Sequence, residues 1–233
     1  MKKTIDLSVV IPTFNRDELL EECLSSIMDQ SVIPREVVIG NDSTVNVIDP
    51  IRLTEKFGFP IKVINRSASL GQARNVNDLM LGVVSEWLML LHDDDKLIPN
   101  SLEDFFCHTS LVQRNVLIFG KQKLILKGEV QGDSEANSFN LRFFRSADTP
   151  HMTFFSIVMK QAIPSNGFIL NSAFCKEIGY TRSITIGDYG LVKDACDYGF
   201  TWNLLFSNAS FLFVDRFVSA YRINEQSVSV MTH

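Results

Sequence analysis

The chain has 233 residues, 45% of them hydrophobic and 21% charged, which is enough apolar material for a substantial buried core and too much for a disordered polymer. Its formal net charge is −5 and no run of Lys or Arg exceeds a pair, so a nucleic-acid partner is excluded for want of an electrostatic footprint. No apolar run approaches the roughly 18 residues of a membrane span, and any membrane contact is expected to be peripheral.

The N-terminus carries two lysines, but Asp6 and then Pro12 interrupt any apolar segment after them, so it does not read as a signal peptide. The first strand is expected at Leu7–Ile11, ended by Pro12. Leu19, Leu20, Cys23, Leu24, Ile27 and Met28 then form one apolar helical stripe. Asn15 and Glu18 have capping-box spacing, which puts Thr13 to Arg16 in a β-to-α loop. A second strand at Glu36–Ile39 runs into the polar loop Gly40-Asn41-Asp42-Ser43-Thr44. A third, Ile61–Ile64, precedes a helix starting near Leu70, with Ser69 and Gln72 again spaced as a capping box. Arg74 lies in the first turns of that helix, where it opposes the helix dipole. It reads either as the partner of a local anion or as an ordinary surface arginine.

The stretch on which the reading turns is Trp87-Leu88-Met89-Leu90-Leu91, followed by His92-Asp93-Asp94-Asp95 and, a few residues on, Pro99. The apolar run predicts a strand covered on both faces, and ligands of open α/β sheets bind beyond the carboxyl ends of such strands. Three adjacent carboxylates there repel one another unless one takes up a proton or a cation sits among them. Mg²⁺ or Mn²⁺ suits such oxygens. A solvated acidic turn, with Asn100 capping the next helix, is the plain alternative. Asn100 and Glu103 supply a third capping-box spacing before a helix at Ser101–Leu111, and four β-α units predict a doubly wound parallel sheet.

Further along, Val116–Phe119 and Lys123–Leu126 read as two strands, and the polar segment from Lys127 to Asp148 as a mobile loop, a lid on the acceptor side. Met152 to Ile163 is apolar but irregular. Asn171-Ser172 opens a helix that Gly179 closes. Gly187-Asp188-Tyr189 precedes another, bearing Leu191, Val192, Ala195 and Cys196 and ended by Gly199, with Asp188 a candidate N-cap. Phe211–Val214, a turn, and Val218–Arg222 read as one or two strands with a basic end. Cys23, Cys107, Cys175 and Cys196 are widely spaced and lack a CxxC pair, so free thiols in a reducing, cytoplasmic setting are expected.

Together these loops resemble the inverting, nucleotide-sugar-dependent glycosyltransferases of GT-A fold, in particular family 2. Val9 to Arg16, Asp42 with Ser43-Thr44, Leu70 to Asn75 and the acids before Pro99 carry the resemblance, in that order along the chain. It implies an α/β fold with a mostly parallel central sheet flanked by helices. One catalytic domain would span 1–233, with 1–115 the nucleotide-binding half and 116–233 the acceptor-side half. It further implies that Pro12, Thr13, Asn15, Arg16 and Asp42 hold the nucleoside, and that Arg74 lies near the diphosphate or donor sugar. Asp93 and Asp94 bind the nucleotide sugar, and Asp95 with Asp93 holds Mn²⁺ or Mg²⁺. Asp188 matches the second member of the family's later acidic pair and so becomes the general base, while Arg222 of Tyr221-Arg222 assists departure of the nucleotide. The donor implied is a UDP-sugar, and the acceptor a glycan or lipid-linked glycan at the cytoplasmic face of a membrane.

Two positions depart from the family pattern. Asn41-Asp42-Ser43-Thr44 lacks one acid and the glycine of the usual loop, and Gly187 stands where the later pair has its first acid. A non-catalytic nucleotide-sugar-binding module of the same fold is therefore the competing expectation. An aspartyl-nucleophile phosphatase is disfavoured because Lys96 follows the acids and no lysine-bearing partner motif accompanies them. A dinucleotide-binding dehydrogenase is disfavoured because no G-x-G-x-x-G follows the first strand.

Overall fold

Strand-forming apolar runs alternate with helices along the first ninety residues, and the computed structural model, which describes residues 2–180 and 196–223, assembles them as parallel β-α units. Strand β1 (Lys3–Thr13) leads to α1 (Asp17–Met28), β2 (Val32–Asn41) to α2 (Pro50–Phe57), and β3 (Ile61–Asn65) to α3 (Gln72–Gly82), before β4 (Trp87–Leu90). These strands lie in the order β3-β2-β1-β4, all parallel. Every residue of β4 is buried. Trp87, Met89 and Leu91 pack with Val9, Ile11 and the α1 stripe on one face, and Leu88 and Leu90 pack with Val10, Val76 and Leu79 on the other. Two-sided burial is why this run shows no polar alternation. Pro12 does not end β1: the strand pairs with β2 through Thr13, while its pairing with β4 stops at Val10.

The rest of the chain extends the same sheet with mixed polarity. It comprises β5 (Lys96–Leu97), α4 (Ser101–Thr109), β6 (Val116–Leu126), β7 (Glu129–Val130), α5 (Asp133–Arg142), α6 (Phe154–Met159), β8 (Phe168–Asn171), α7 (Ser172–Ile178), α8 (Cys196–Phe206) and β9 (Ser210–Arg222). Beyond β4 the order is β8-β6-β9-β5. Strand β8 runs antiparallel to both β4 and β6, and β9 parallel to β6. The expectation of a mostly parallel sheet thus holds for the first half, whereas the sheet as a whole is mixed.

Several local expectations are corrected. The two strands expected within 116–126 are one, β6, and of the one or two expected within 211–222 there is one, β9, whose register shifts opposite Gly120 to Gln122 where a turn was expected. The loop expected from Lys127 to Asp148 contains β7 and α5, because Asn140 is buried and bonds the backbone of Gln122 through both ends of its amide. Met152 to Ile163 contains α6, capped by Thr153. Helix α8 runs through Gly199 instead of ending there.

None of the three capping boxes forms. Asn15 and Asn100 instead adopt left-handed φ values of 54° and 67°, which asparagine tolerates better than most residues. Ser69 and Glu103 bond elsewhere, to Asp42 and Ser31. Asn171 does cap α7 as expected, accepting from the N–H groups of Ala173 and Phe174.

Glu36 is a carboxylate buried in the sheet. It accepts from Ser8 Oγ at 2.7 Å and from the Val84 N–H, and pairs with Lys62 at 2.6 Å. Burial pushes its carboxyl up, but Lys62, Ser8 and Val84 together outweigh that and leave it below the ordinary glutamate value. A depressed folded-state value makes this stabilisation present above the unfolded value and lost as pH falls through the folded one. Glu36→Gln is expected to cost about 1–3 kcal/mol near neutral pH and progressively less below pH ~4, as read from urea melts of both proteins across that range.

Candidate active site at the end of the central strand

Strand β4 stops pairing where Leu91 N–H bonds the Val10 carbonyl at 3.0 Å, and the chain then turns, with Asp95 N–H donating to the His92 carbonyl at 3.2 Å. The turn buries Asp93 and Asp95, 5% and 1% exposed, and leaves Asp94 half-buried. Each carboxylate is held by a different part of the chain. Asp93 accepts from Thr13 Oγ1 at 2.7 Å and, more weakly, from Arg16 at 3.4 Å. Asp94 accepts from Arg16 at 3.0 Å. Asp95 accepts from Asn166 Nδ2 and from the Arg222 backbone N–H, both at 2.7 Å.

Among the described residues, Arg16 is the one cationic side chain that reaches these carboxylates. The Arg222 guanidinium is turned to the Asp94 carbonyl and to Glu22, each at 2.7 Å. Glu22 also pairs with Lys96, and Lys96, then Arg222, hold its carboxyl below the usual glutamate range. Two of the three acids therefore share one guanidinium, and Asp95 is bonded, among the described residues, by neutral groups alone. Burial raises the Asp95 carboxyl well above the usual aspartate range, and the neighbouring Asp94 charge adds to it. Asp93 is raised as well, by burial first, with Thr13 opposing.

A cavity of about 510 Å³ opens over this turn, lined by Pro12 and Thr13 from the end of β1, Arg16 from the first loop, Asp42 and Gly71 from the second and third, His92, Asp93 and Asp94 from the turn, and Arg222 from β9. Seven of the residues singled out in the sequence thus meet in one place. Asp95 sits beneath them, buried and outside the lining. Asn15 and Arg74 are exposed and do not line the cavity. Asp188 lies outside the described residues.

Asp42 faces the cavity, but its carboxylate already accepts from Ser69 Oγ at 2.6 Å, Leu70 N–H at 2.7 Å and Gly71 N–H at 2.9 Å. Of the roughly four lone-pair sites on a carboxylate, three tie down the loop that leads into α3. Asn75 fastens the same corner, donating to the Gly40 carbonyl at 2.8 Å and accepting from Arg66 at 3.2 Å.

Sequence reasoning passed over Asn75, Asn166, Glu22 and Tyr221 as site residues. Asn75 was visible as a polar residue beside Val76 on the inward helix face, and Asn166 as the polar member of a Ser165-Asn166-Gly167 turn before a strand. The partnership of Glu22 with Arg222 spans 200 residues and leaves no local trace.

His92, Asp94 and Asp95 bring ligand atoms within 4.8 Å of one another. Asp93, expected to join Asp95 in holding a metal, lies outside this group and accepts from Thr13 and Arg16, while Asp94, which also accepts from Arg16, lies within it. Two buried polar atoms beside the group, His92 Nε2 and Asn166 Oδ1, have no hydrogen-bond partner among the described residues. Orphaned atoms of this kind call for an explanation such as an ion or ordered water, and a carboxylate pair suits Mg²⁺ or Mn²⁺.

A family model described as Glycosyl transferase family 2 matches residues 8–108. An uncharacterised glycosyltransferase of Bacillus subtilis (strain 168), YwdF, is 34% identical over 97 residues, 42% of this chain and 35% of that protein. A Campylobacter jejuni protein named as a GalNAc(5)-diNAcBac-PP-undecaprenol beta-1,3-glucosyltransferase is 32% identical over 98 residues, 41% of this chain and 32% of its own. The match therefore spans about a third of the length of these curated relatives. Among solved structures, Staphylococcus aureus TarS 1-349 in complex with UDP-GlcNAc aligns with a TM-score of 0.70 at 20% identity, over 98% of this chain and 61% of that one. That likeness is one of fold, and it extends past residue 108 into the mixed half of the sheet.

The Asp42 clamp has a direct readout without any ligand. Asp42→Asn replaces two charge-assisted backbone bonds, worth about 1.5–3 kcal/mol each at most, with the weaker acceptance of one amide oxygen. Hydrogen exchange at the Leu70 and Gly71 amides is expected to accelerate by about 10-fold or more, with amides of β1 unchanged; unaltered exchange at both positions would show that the loop does not hang on this carboxylate.

Proposed function

We propose, from the match of residues 8–108 to the family 2 glycosyltransferases, that this chain is one of them, that the cavity beyond β4 binds a nucleotide-diphosphate sugar and that the protein transfers the sugar, with inversion, to a hydroxyl acceptor. The observation that carries this reading is the convergence of the Thr13–Arg16 loop, Asp42 and the acidic turn on one cavity of about 510 Å³, a volume in the range of small-ligand sites. The donor is a UDP-sugar, a reading supported by the fold shared with a protein solved in complex with UDP-GlcNAc. The acceptor is a glycan or lipid-linked glycan of a cell-surface polysaccharide, in keeping with the undecaprenol-linked substrate in the name of one relative. No helix among the described residues is long and apolar enough to cross a membrane. In this reading the lipid-linked acceptor is met at the cytoplasmic membrane face.

In this reading Pro12, Thr13 and the backbone about Asn15 hold the nucleoside, with Asp42 keeping the third loop against it. Asp94 and Asp95, with His92 beside them, hold Mn²⁺ or Mg²⁺. When bound, the ion supplies positive charge to a diphosphate that gains negative charge as it leaves. Arg16 and Arg222 border the same cavity and lend their charge to that departure. Transfer requires the acceptor oxygen to attack the anomeric carbon from the face opposite the diphosphate. The new C–O bond forms as the bond to the phosphate oxygen breaks, and the acceptor proton passes to a carboxylate. Asp188 is the base assigned by the resemblance, a role that rests on sequence alone.

Calorimetry separates the parts. UDP is expected to bind with Mn²⁺ far more tightly than without it, and Asp95→Ala to remove the metal-dependent share. Asp188→Ala is expected to leave that binding within about twofold and to cut turnover by about 10²–10⁴-fold, the usual contribution of a general base. Loss of nucleotide affinity in Asp188→Ala would count against its role as base. Nucleotide binding with neither hydrolysis nor transfer would favour a binding module, the reading that Gly187 keeps in play.

A further inference from the structure

A second, smaller chamber of about 210 Å³ lies beside the first, and Ser165, Asp197 and Tyr221 form a wall common to both. Its lining is unusual in pairing aromatic rings with a buried charge. Phe139 packs on Phe143 at 5.1 Å and stacks nearly parallel to Tyr221 at 6.1 Å. Arg145, 4% exposed, lines the chamber with its guanidinium carbon 5.1 Å from the Phe143 ring centre and 5.9 Å from that of Phe139.

Arg145 has no carboxylate partner among the described residues. It donates from Nε to the Ala162 carbonyl at 2.6 Å and from one terminal nitrogen to Gln122 Oε1 at 2.9 Å, both neutral acceptors. Its second terminal nitrogen makes no hydrogen bond among the described residues and is not sealed off. Buried charges are ordinarily paired, and a guanidinium with an uncommitted edge matches an oxyanion. Burial brings Arg145 down to about 9, which leaves it cationic at neutral pH. A residue serving only to staple α5 to the sheet would use the two bonds already made and gain nothing from the exposed edge.

We propose that this chamber is the acceptor subsite and that it selects an acceptor sugar bearing an oxyanion, a phosphate or a carboxylate, with Arg145 holding the anion and Phe139, Phe143 and Tyr221 offering faces to the apolar side of the sugar ring. The shared wall lets a hydroxyl of such a sugar reach the donor cavity, and the Asp197 carboxylate on that wall can accept from the remaining hydroxyls. The acceptor assignment rests on the transferase reading above, whereas the anion preference belongs to the chamber alone.

The test titrates methyl glucoside, glucuronate and glucose 6-phosphate into the full chain, with and without UDP and Mn²⁺, following ligand resonances by saturation transfer. At least one anionic probe is expected to bind about tenfold more tightly than methyl glucoside, and the better of the two identifies carboxylate or phosphate. Arg145→Met is expected to abolish the preference while UDP affinity stays within about twofold. Gln161→Glu changes an exposed lining residue, and is expected to weaken both anionic probes and spare methyl glucoside, so the outcome is readable even if Arg145→Met does not fold. Equal binding of all three probes by the unsubstituted protein, or a preference that survives Gln161→Glu and Arg145→Met, overturns the proposal. Failure of the unsubstituted protein to bind UDP sinks the transferase reading instead, and leaves the anion preference to stand or fall on the titrations made without nucleotide.

Discussion

Packing three consecutive carboxylates against the end of a fully buried strand is the most expensive arrangement in this protein, and much of the chain is disposed to make it tolerable. Like charges at such spacing in a partly dry site repel by several kcal/mol. The relief comes from four separate segments: Thr13 at the end of β1 with Arg16 just beyond it, Asn166 before β8, the Arg222 backbone at the end of β9, and Glu22 on α1, which holds the Arg222 side chain in turn. Most of these groups are neutral, so they satisfy lone pairs without cancelling charge. The deficit that remains is the physical case for a cation, and for a ligand that shares it.

The topology follows from that requirement. The parallel half carries β4 and the first loop to the same edge, but it contributes no donor to Asp95. Both groups that bond this carboxylate come from the second half, which is why the mixed extension β8-β6-β9 is part of the site and not an appendage to it. The same extension frames the aromatic chamber between α5, α8 and β9, and its wall at Tyr221 adjoins Arg222 in the sequence. One strand end therefore serves the larger cavity with its backbone and a neighbouring side chain, and the side chamber with its aromatic ring.

What the sequence reveals and conceals follows from the range of the forces involved. The apolar run at Trp87–Leu91 and the acids after it were legible because burial on both faces and charge crowding are written in consecutive residues. So was the α1 stripe. The capping boxes misled because spacing alone does not tell whether a hydroxyl will cap its own helix or, as Ser69 does, reach a carboxylate 27 residues away. The segment after Lys127 concealed a helix because its polar composition suits an exposed surface, while the single buried amide of Asn140 anchors it to β6. Asp42 lines the cavity, yet its carboxylate already accepts from the Ser69 hydroxyl and the Leu70 and Gly71 amides, which no local pattern shows. Asn166 and Glu22 act across 71 and 200 residues, distances at which no periodicity or motif announces a partner.

The central claim, that the acidic turn holds a cation joined to the donor's diphosphate, is most directly tested by electron paramagnetic resonance of Mn²⁺ bound to the protein with UDP. The account predicts a protein-bound signal with phosphorus hyperfine coupling that disappears in Asp94→Asn and Asp95→Asn but persists in Asp93→Asn, whose carboxylate belongs to Thr13 and Arg16. A phosphorus-coupled Mn²⁺ signal indifferent to Asp94 and Asp95, or UDP bound at full affinity while Mn²⁺ stays free in solution, would contradict it.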